Sequence, residues 1–297
     1  MGLGIANIQN IIEMYSSGYF KNSKSILEIG SQELHCSKGD IKELFKQANL
    51  DSEQVDNFKD IDNLPNRRPA ASAKPFYDAL GLTEYSCIDL NEDHGAIGHD
   101  LNKPFLDKSK FNKFDVVTDF GSCEHVFNIA EAYKTMHKLL KPEGYFIVTQ
   151  AVLKGNGYFL FDNSFFAGFA AANNYKIISS SYIVSTKVRT ENQSYLDFLI
   201  PLSRDLFDVL DYSKLTNVSI YVVLQKQEDK EFKMPYQHSL MTLNYNFAGY
   251  NRMYHQDPIG YSFLPDNKIE VRHLPFKKLL LEVIKRIQIK YFGKPSH

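Results

Sequence analysis

Short apolar runs alternate along the chain with longer segments of helical periodicity. An apolar residue at every third or fourth position predicts helices over 7–19, 40–48, 129–140 and 165–172. Runs rich in β-branched and aromatic residues predict strands over 25–29, 85–90, 114–120, 145–152, 175–184 and 219–225. Alternation of this kind indicates an α/β fold, in which an open and mostly parallel sheet is covered by helices on both faces.

A polar segment interrupts this alternation at about residues 49–74, where prolines and a pair of arginines replace the apolar pattern. We interpret it as a long surface insertion, and 58 residues separate Gly30 from Asp89. We expect the insertion to cover a site as a lid, with a dimer contact as the alternative.

The end of the chain differs from the rest in charge. Residues 272–297 carry seven basic residues and one acid, and apolar residues between Phe276 and Tyr291 form one helical stripe. We therefore divide the chain into a domain over 1–228 and an extension over 229–297 that ends in a basic amphipathic helix. This helix is expected to dock on the domain, while contact with a membrane surface or with a partner protein are the alternatives.

Composition narrows the class of protein. Hydrophobic residues make up 43% of the chain, which is enough for a large core and excludes a mainly disordered protein. The formal charge of -1 gives no basic field for nucleic acid. Three widely spaced cysteines indicate reduced thiols, and no apolar run of about 18 residues predicts a membrane span. We therefore expect a soluble cytoplasmic protein whose oligomeric state is left open.

Candidate chemistry is concentrated where the predicted strands end, because ligands of open α/β sheets bind at the carboxyl ends of the strands. Gly30 closes the first strand directly after Glu28, but Gln32 stands where a dinucleotide-binding turn needs a second glycine. Asp89 ends the second strand, and Asp100 follows on the next loop. Two acids on neighbouring loops are suited to the hydroxyls of a nucleoside without phosphates.

Several of these segments, in order, resemble the motifs of class I S-adenosylmethionine-dependent methyltransferases. The matching segments are SILEIGSQ, CIDLN, GHDLNKPF, VVTDFGSCEHVFN and LLKPEGYFIVTQ, and together they span about residues 25–225. The resemblance is to the type 11-like members found with polysaccharide and sugar-modification enzymes. It implies a Rossmann-like sheet of seven strands and S-adenosylmethionine as the cofactor.

The resemblance also implies a set of site residues. Those expected to bind the cofactor are Glu28, Gly30, Ser31, Gln32, Asp89, Leu90, Asp100, Leu101, Gly121 and Ser122. For a hydroxyl acceptor the protein must supply a base, and His125, directly after Glu124, is the first candidate. His35 and His99 rank below it, and no residue spacing indicates a metal site. The glycine-rich, aromatic segment 155–162 is suited to an acceptor-binding loop, with core packing under a loop as the alternative.

Together, these expectations predict that the protein is a methyltransferase that O-methylates a sugar or glycan precursor. A non-catalytic nucleoside-binding or scaffold protein with the same fold is the alternative. A nicotinamide-dependent oxidoreductase is disfavoured, because the acid at Asp89 lies 59 residues after Gly30 where about 20 is typical.

Overall fold

The computed structural model describes residues 2–20, 22–59, 71–203 and 206–235. The strands are β1 (Gly2–Leu3), β2 (Ser25–Ile29), β3 (Glu33–Leu34), β4 (Glu84–Asp89), β5 (Ile97–Gly98), β6 (Phe114–Phe120), β7 (Leu140–Leu153), β8 (Tyr175–Arg189), β9 (Tyr195–Pro201) and β10 (Leu215–Lys226). The helices are α1 (Ile5–Ser16), α2 (Lys38–Gln47), α3 (Lys74–Ala79), α4 (Ile129–Leu139), α5 (Asn163–Asn173) and α6 (Leu206–Val209). The predicted helices and strands that fall on these residues are confirmed, most of them with shifted boundaries.

The central sheet has eight strands in the order β5-β4-β2-β6-β7-β10-β8-β9. The first five are parallel to one another, whereas β10, β8 and β9 join antiparallel. The prediction of an α/β fold with a mostly parallel sheet is confirmed, but the expected number of seven strands is wrong. The short β5 and β9 were not predicted, and together with the six strands predicted from the sequence pattern they make eight.

Strand β9 forms because the chain turns back on itself after β8. Thr190 and Gln193 close a tight turn, in which the Thr190 amide donates to the carbonyl of Ser194 at 2.8 Å. Positive φ at Gln193 (74°) allows the reversal. The strand escaped prediction because Asp197 interrupts its apolar run and Pro201 ends it, and both residue types are depleted in strands.

Two separate hydrophobic clusters pack on opposite faces of this sheet. Neighbouring strand residues contribute alternately, so that Val116 joins the cluster under α1, α2 and α3, while Val117 joins the cluster under α4 and α5. Side chains of consecutive strand residues point to opposite faces, which explains the division. Helices on both faces are therefore confirmed.

The described part of the segment 49–74 lies at the surface, with most of residues 51–59 exposed, and it is anchored to the core. A 3-10 helix over Ser52–Asn57 packs against α2 and α3, and Val55 and Phe58 are buried in the first cluster. These apolar side chains anchor the segment to the core. Residues 60–70, and with them the centre of the expected lid, lie outside the described residues, as does the predicted basic helix over 272–297.

The strand order reverses at β2. From β2 the chain adds β4 and β5 on one side and then returns to place β6 on the other side. A crevice opens at such a reversal, outside the carboxyl ends of the strands. Here it is bordered by the ends of β2, β4 and β6, where the sequence analysis predicted the ligand-binding residues.

Candidate active site

The turn after β2 is built around Gly30. Its φ of 78° lies in the left-handed region, and its amide donates to the carbonyl of Ile88 at 2.7 Å. A Cβ atom at this position would lie 2.2 Å from the hydroxyl oxygen of Ser122. Both the backbone conformation and the close approach therefore require glycine here.

Gln32 and Ser122 lock this turn from below. The Gln32 side-chain amide donates to the carbonyl of Ile29 at 2.8 Å and to the Ser122 hydroxyl at 2.9 Å, and that hydroxyl donates to the same carbonyl at 2.6 Å. Gln32 is fully buried, and its Oε1 has no hydrogen-bond partner among the described residues. Where a dinucleotide-binding turn has a glycine, Gln32 thus leaves a buried acceptor within the turn.

Asp89 stands beside the turn at the end of β4. Its Oδ2 accepts from the amide and the hydroxyl of Ser31 at 2.8 and 3.0 Å, and its Oδ1 accepts from the Asn91 amide at 3.3 Å. The two predicted cofactor contacts Ser31 and Asp89 are therefore directly bonded to each other. Leu90, the next residue, is 72% exposed and offers an apolar surface at the same edge.

The segment that carries the predicted cofactor contacts Asp100 and Leu101 reaches the same edge through β5. The amide of His99 donates to the carbonyl of Asp89 at 3.3 Å, which brings Asp100 and Leu101 next to the end of β4. The Asp100 carboxylate accepts two hydrogen bonds from Asn102, which lower its pKa, and Leu101 is buried in the second cluster.

Glu28 is not brought to the crevice with the others. It is fully buried in the middle of β2, where its Oε2 accepts from the Tyr85 hydroxyl at 2.5 Å. Burial raises the pKa of Glu28 to about 8, so the carboxyl group is mainly protonated at neutral pH. Its surroundings are those of a core polar group, and its contact with a cofactor stays a prediction.

The loop after β6 positions Glu124 through buried hydrogen bonds. Asp119 accepts from the Ser122 amide at 2.9 Å and from the side chain of Gln150, whose Oε1 accepts from the Glu124 amide at 3.2 Å. Burial raises the pKa of Asp119 to about 6. The Glu124 carboxylate is itself held by the Ala151 amide at 2.8 Å. Glu124 therefore has one fixed orientation at the ends of β6 and β7.

His125 lies on the outer side of this loop. Its Nε2 is 3.6 Å from Glu124 Oε1, and 36% of its side chain is exposed. Burial raises the pKa of Glu124, the more enclosed member of the pair. The two predicted catalytic residues are thus neighbours in space, but only Glu124 faces the cavity described next.

A cavity of about 480 Å³ adjoins the crevice where β6 ends. It extends from Gly121 and Glu124 across the ends of β7 and β8 to Asp197 on β9, and the N-terminal residues Gly2 and Gly4 form part of its wall. The sequence analysis missed this wall, because it predicted neither β9 nor a role for the glycines before α1. Of the lower-ranked histidines, His35 lines the cavity.

The predicted acceptor-binding loop folds over Glu124. Gly155 and Asn156 line the cavity, and the Tyr158 amide donates to the Glu124 carbonyl at 2.7 Å. A Cβ atom at Gly157 would lie 2.4 Å from that carbonyl oxygen, so glycine permits the contact. Asp162, the last residue of this loop, caps α5 by accepting from the Ser164 amide at 2.9 Å.

Three further expectations concern the cysteines, membrane-spanning segments and metal sites. All three cysteines, Cys36, Cys87 and Cys123, are buried free thiols, as expected. Within the described ranges, no helix is long and apolar enough to cross a membrane. The same residues contain no group of three or more histidine, cysteine, aspartate or glutamate side chains arranged to hold a metal ion.

Comparison with known families gives one match. A family model that describes a methyltransferase domain matches residues 95–195, about a third of the chain. This segment is therefore similar to a methyltransferase domain. No curated protein matches the sequence.

Among solved structures, the chain is similar to three methyltransferases. The 1,6-didemethyltoxoflavin-N1-methyltransferase of Burkholderia thailandensis, crystallised with its acceptor and S-adenosylhomocysteine, is 10% identical, with 74% of this chain and 80% of that chain covered and a TM-score of 0.36. The N-methyltransferase NodS of Bradyrhizobium japonicum, in complex with S-adenosylhomocysteine, is 9% identical over 74% and 86% of the two chains, with a TM-score of 0.36. A methyltransferase of Archaeoglobus fulgidus is 14% identical over 75% and 95%, with a TM-score of 0.36.

Proposed function

We propose that this protein is an S-adenosylmethionine-dependent methyltransferase that acts on a hydroxyl group of a small polar acceptor, a sugar or glycan precursor. The observation that carries the proposal is the meeting of two regions at Gly121 and Glu124. On one side lies the crevice with the Gly30 turn and Asp89, and on the other lies the cavity of about 480 Å³. Methyl transfer needs such an arrangement, because donor and acceptor must be held in line.

The chemistry of the crevice fits the nucleoside part of the cofactor. Asp89 offers a half-buried carboxylate to the ribose hydroxyls, with Ser31 fixing its orientation. Leu90 and Leu101 offer apolar contacts for adenine, and Asp100 offers an acceptor at the same edge. These residue types are the ones that a nucleoside without phosphates requires.

The turn side of the crevice fits the amino acid part. The Oε1 of Gln32 is a buried acceptor within this turn and has no partner among the described residues, which is costly. Gly30 and Gly121, both with positive φ, leave the backbone beside it without side chains. Ser122 supports the turn from below. When bound, the cofactor supplies a methyl group on a sulfonium.

Glu124 is the residue best arranged to take the acceptor's proton. Its carboxylate lines the cavity, the Ala151 amide holds one of its oxygens, and burial raises its pKa, which strengthens it as a base. His125 is 3.6 Å away and stabilises the negative charge of Glu124 when protonated. In this scheme Glu124 touches the reacting hydroxyl, whereas His125 positions and tunes it.

Calorimetry tests the cofactor first. We expect S-adenosylmethionine and S-adenosylhomocysteine to bind at micromolar strength and NAD not to bind. Binding of NAD alone, or of none of the three, would contradict the proposal.

Turnover is then measured as S-adenosylhomocysteine formed with a panel of hexoses, hexosamines and sugar nucleotides. Glu124→Gln keeps the size of the side chain and an acceptor for the Ala151 amide, so we expect unchanged cofactor affinity and a turnover lowered about 100-fold or more. His125→Ala serves as the matched variant and should lower turnover less. The reverse order would identify His125 as the base.

A non-catalytic nucleoside-binding protein is the second candidate, and one observation favours it. The Ser122 hydroxyl and the Gln32 side chain fill the space beside Gly30 that the resemblance would leave to a second glycine. This candidate predicts cofactor binding without S-adenosylhomocysteine formation on any acceptor in the panel.

A further inference from the structure

The far wall of the cavity carries a second buried carboxylate, Asp197 on β9. Only 6% of the residue is exposed, and its carboxylate interacts with the backbone amide of Ala6 and the side chain of Ser185. Gly4 approaches so closely that a Cβ atom there would lie 2.7 Å from Asp197 Oδ2. Asp197 thus caps α1, which has no side-chain cap of its own, and also faces the cavity.

The cavity has a buried carboxylate at each end. Glu124 and Asp197 stand at its two ends, and within the described part of the chain neither forms an ion pair with a lysine or arginine. The Oδ1 of Asn217, also on the wall, is buried without a described hydrogen-bond partner. Lys154 lines the cavity, but its ammonium group donates to the carbonyls of Leu215, at 3.0 Å, and Tyr212.

His35 does not offset this negative charge. Burial is the largest cause that lowers its pKa, so the imidazole is neutral near pH 7. His125 lies 3.6 Å from the Glu124 carboxylate, whereas no cationic side chain of the described residues lies in such contact with Asp197. A buried carboxylate without a cation is costly, and a cationic ligand removes that cost. The wall around Asp197 and Asn217 is therefore electrostatically complementary to an ammonium group and repels a carboxylate or a phosphate.

We propose that Asp197 is a specificity-determining residue that binds an ammonium group of the acceptor, so that the substrate is an amine-bearing polyol whose amine lies remote from the methylated hydroxyl. This inference rests on the proposed function and adds the substrate class. A structural role alone, the capping of α1, is the alternative that the test must separate from it.

Three probes that share one ring test the proposal: D-glucosamine, D-glucose and D-glucuronate. Their binding is measured by saturation-transfer NMR and calorimetry on the full chain with S-adenosylhomocysteine present. We expect glucosamine to bind most tightly and glucuronate least. Asp197→Asn should weaken glucosamine binding about tenfold and leave glucose binding nearly unchanged.

Asp40→Asn is the matched control. Asp40 is also a buried aspartate at the start of a helix, where its carboxylate accepts from the hydroxyls of Ser37 and Thr190, but it does not line the cavity. It should leave the binding of all three probes unchanged. Asn217→Asp is a second variant, which tests the proposal even if Asp197→Asn fails to fold. It adds a carboxylate to the same wall and should therefore tighten glucosamine binding.

The experiments distinguish a failure of the inference about Asp197 from a failure of the proposed function. Equal binding of glucosamine and glucose, a preference for glucuronate, no binding of any probe up to its solubility limit, or identical behaviour of the Asp197 and Asp40 variants overturns the inference. Failure of S-adenosylhomocysteine itself to bind overturns the proposed function instead, which calorimetry without a probe reveals independently.

Discussion

Replacing Gly30 with alanine tests the turn on which the candidate cofactor site is built. The new methyl group would lie 2.2 Å from the Ser122 hydroxyl and 3.0 Å from the Gln32 side-chain nitrogen, and the backbone φ is 78°. Two costs follow, one from the left-handed backbone and one from the clash. The variant Gly81→Ala separates the two costs. Gly81 also has a left-handed φ, 80°, but no atom lies within 4 Å of the position that its Cβ atom would take.

The magnitudes of the two costs can be worked out separately. A left-handed conformation costs a non-glycine residue about 1 to 2 kcal/mol, and this cost applies equally to Gly81→Ala. Overpacking a buried contact adds about 1 to 3 kcal/mol, and this cost applies to Gly30→Ala alone. We therefore expect the free energy of unfolding to fall by about 2 to 5 kcal/mol for Gly30→Ala and by about 1 to 2 kcal/mol for Gly81→Ala.

Urea denaturation measures both variants, and calorimetry with S-adenosylhomocysteine measures binding. Ser122→Ala removes the atom at 2.2 Å, so the extra cost of Gly30→Ala should shrink in that background, as a double-mutant cycle reports. Affinity for S-adenosylhomocysteine should fall in Gly30→Ala and not in Gly81→Ala. Equal destabilisation by the two alanines, or no relief by Ser122→Ala, would refute the reasoning about the turn.

Three further predictions concern single buried or half-buried charges. Asp89→Ala should weaken S-adenosylhomocysteine binding by about 1 to 3 kcal/mol in calorimetry, and an unchanged affinity would remove Asp89 from the site. Lys226→Met should lower the free energy of unfolding in urea by about 1 to 3 kcal/mol, because the fully buried ammonium satisfies the carbonyls of His137 and Leu140, and a smaller loss would contradict this role. Asp115, bonded to Lys141 at 2.7 Å, has its pKa lowered to about 2 although burial opposes the shift. A carboxyl group whose pKa is lower in the folded than in the unfolded state stabilises the fold at pH values above its unfolded pKa, which is about 4. Asp115→Asn should therefore lower the free energy of unfolding by about 1 kcal/mol at pH 7, and this difference should fade as the pH falls towards 2.

The sequence predicts those parts of the fold that depend on local pattern. The strand Ser25–Ile29 and the strand Phe114–Phe120 have the predicted boundaries, because each is a continuous buried run closed by a glycine or followed by one. Helix α4 begins and ends within a residue of its prediction, since its apolar stripe is regular. The local pattern of apolar residues therefore predicted the strand ends that border the crevice.

Contacts between distant segments could not be predicted in the same way. The surroundings of Glu28 depend on the pairing of β2 with β4, which brings the Tyr85 hydroxyl to 2.5 Å from its carboxylate. Val55 and Phe58 lie in a polar segment whose composition indicates a loop, and their burial depends on tertiary packing against α2 and α3. A prediction from the average composition of a segment does not detect single apolar residues that attach the segment to the core.

The mixed sheet explains why half of the candidate site was invisible in the sequence. Because β10 runs antiparallel to β7, the start of β10 lies beside the end of β7, as the register of Ser219 with Ala151 shows. The end of β8 and the start of β9 then follow along the same edge, with Asp197 opposite Ser185. Parallel strands bring only their carboxyl ends to an edge, whereas these three strands also bring residues from strand beginnings. The edge that begins as a crevice at β4 and β2 therefore continues as a cavity under β10, β8 and β9, and Glu124 lies where the two meet.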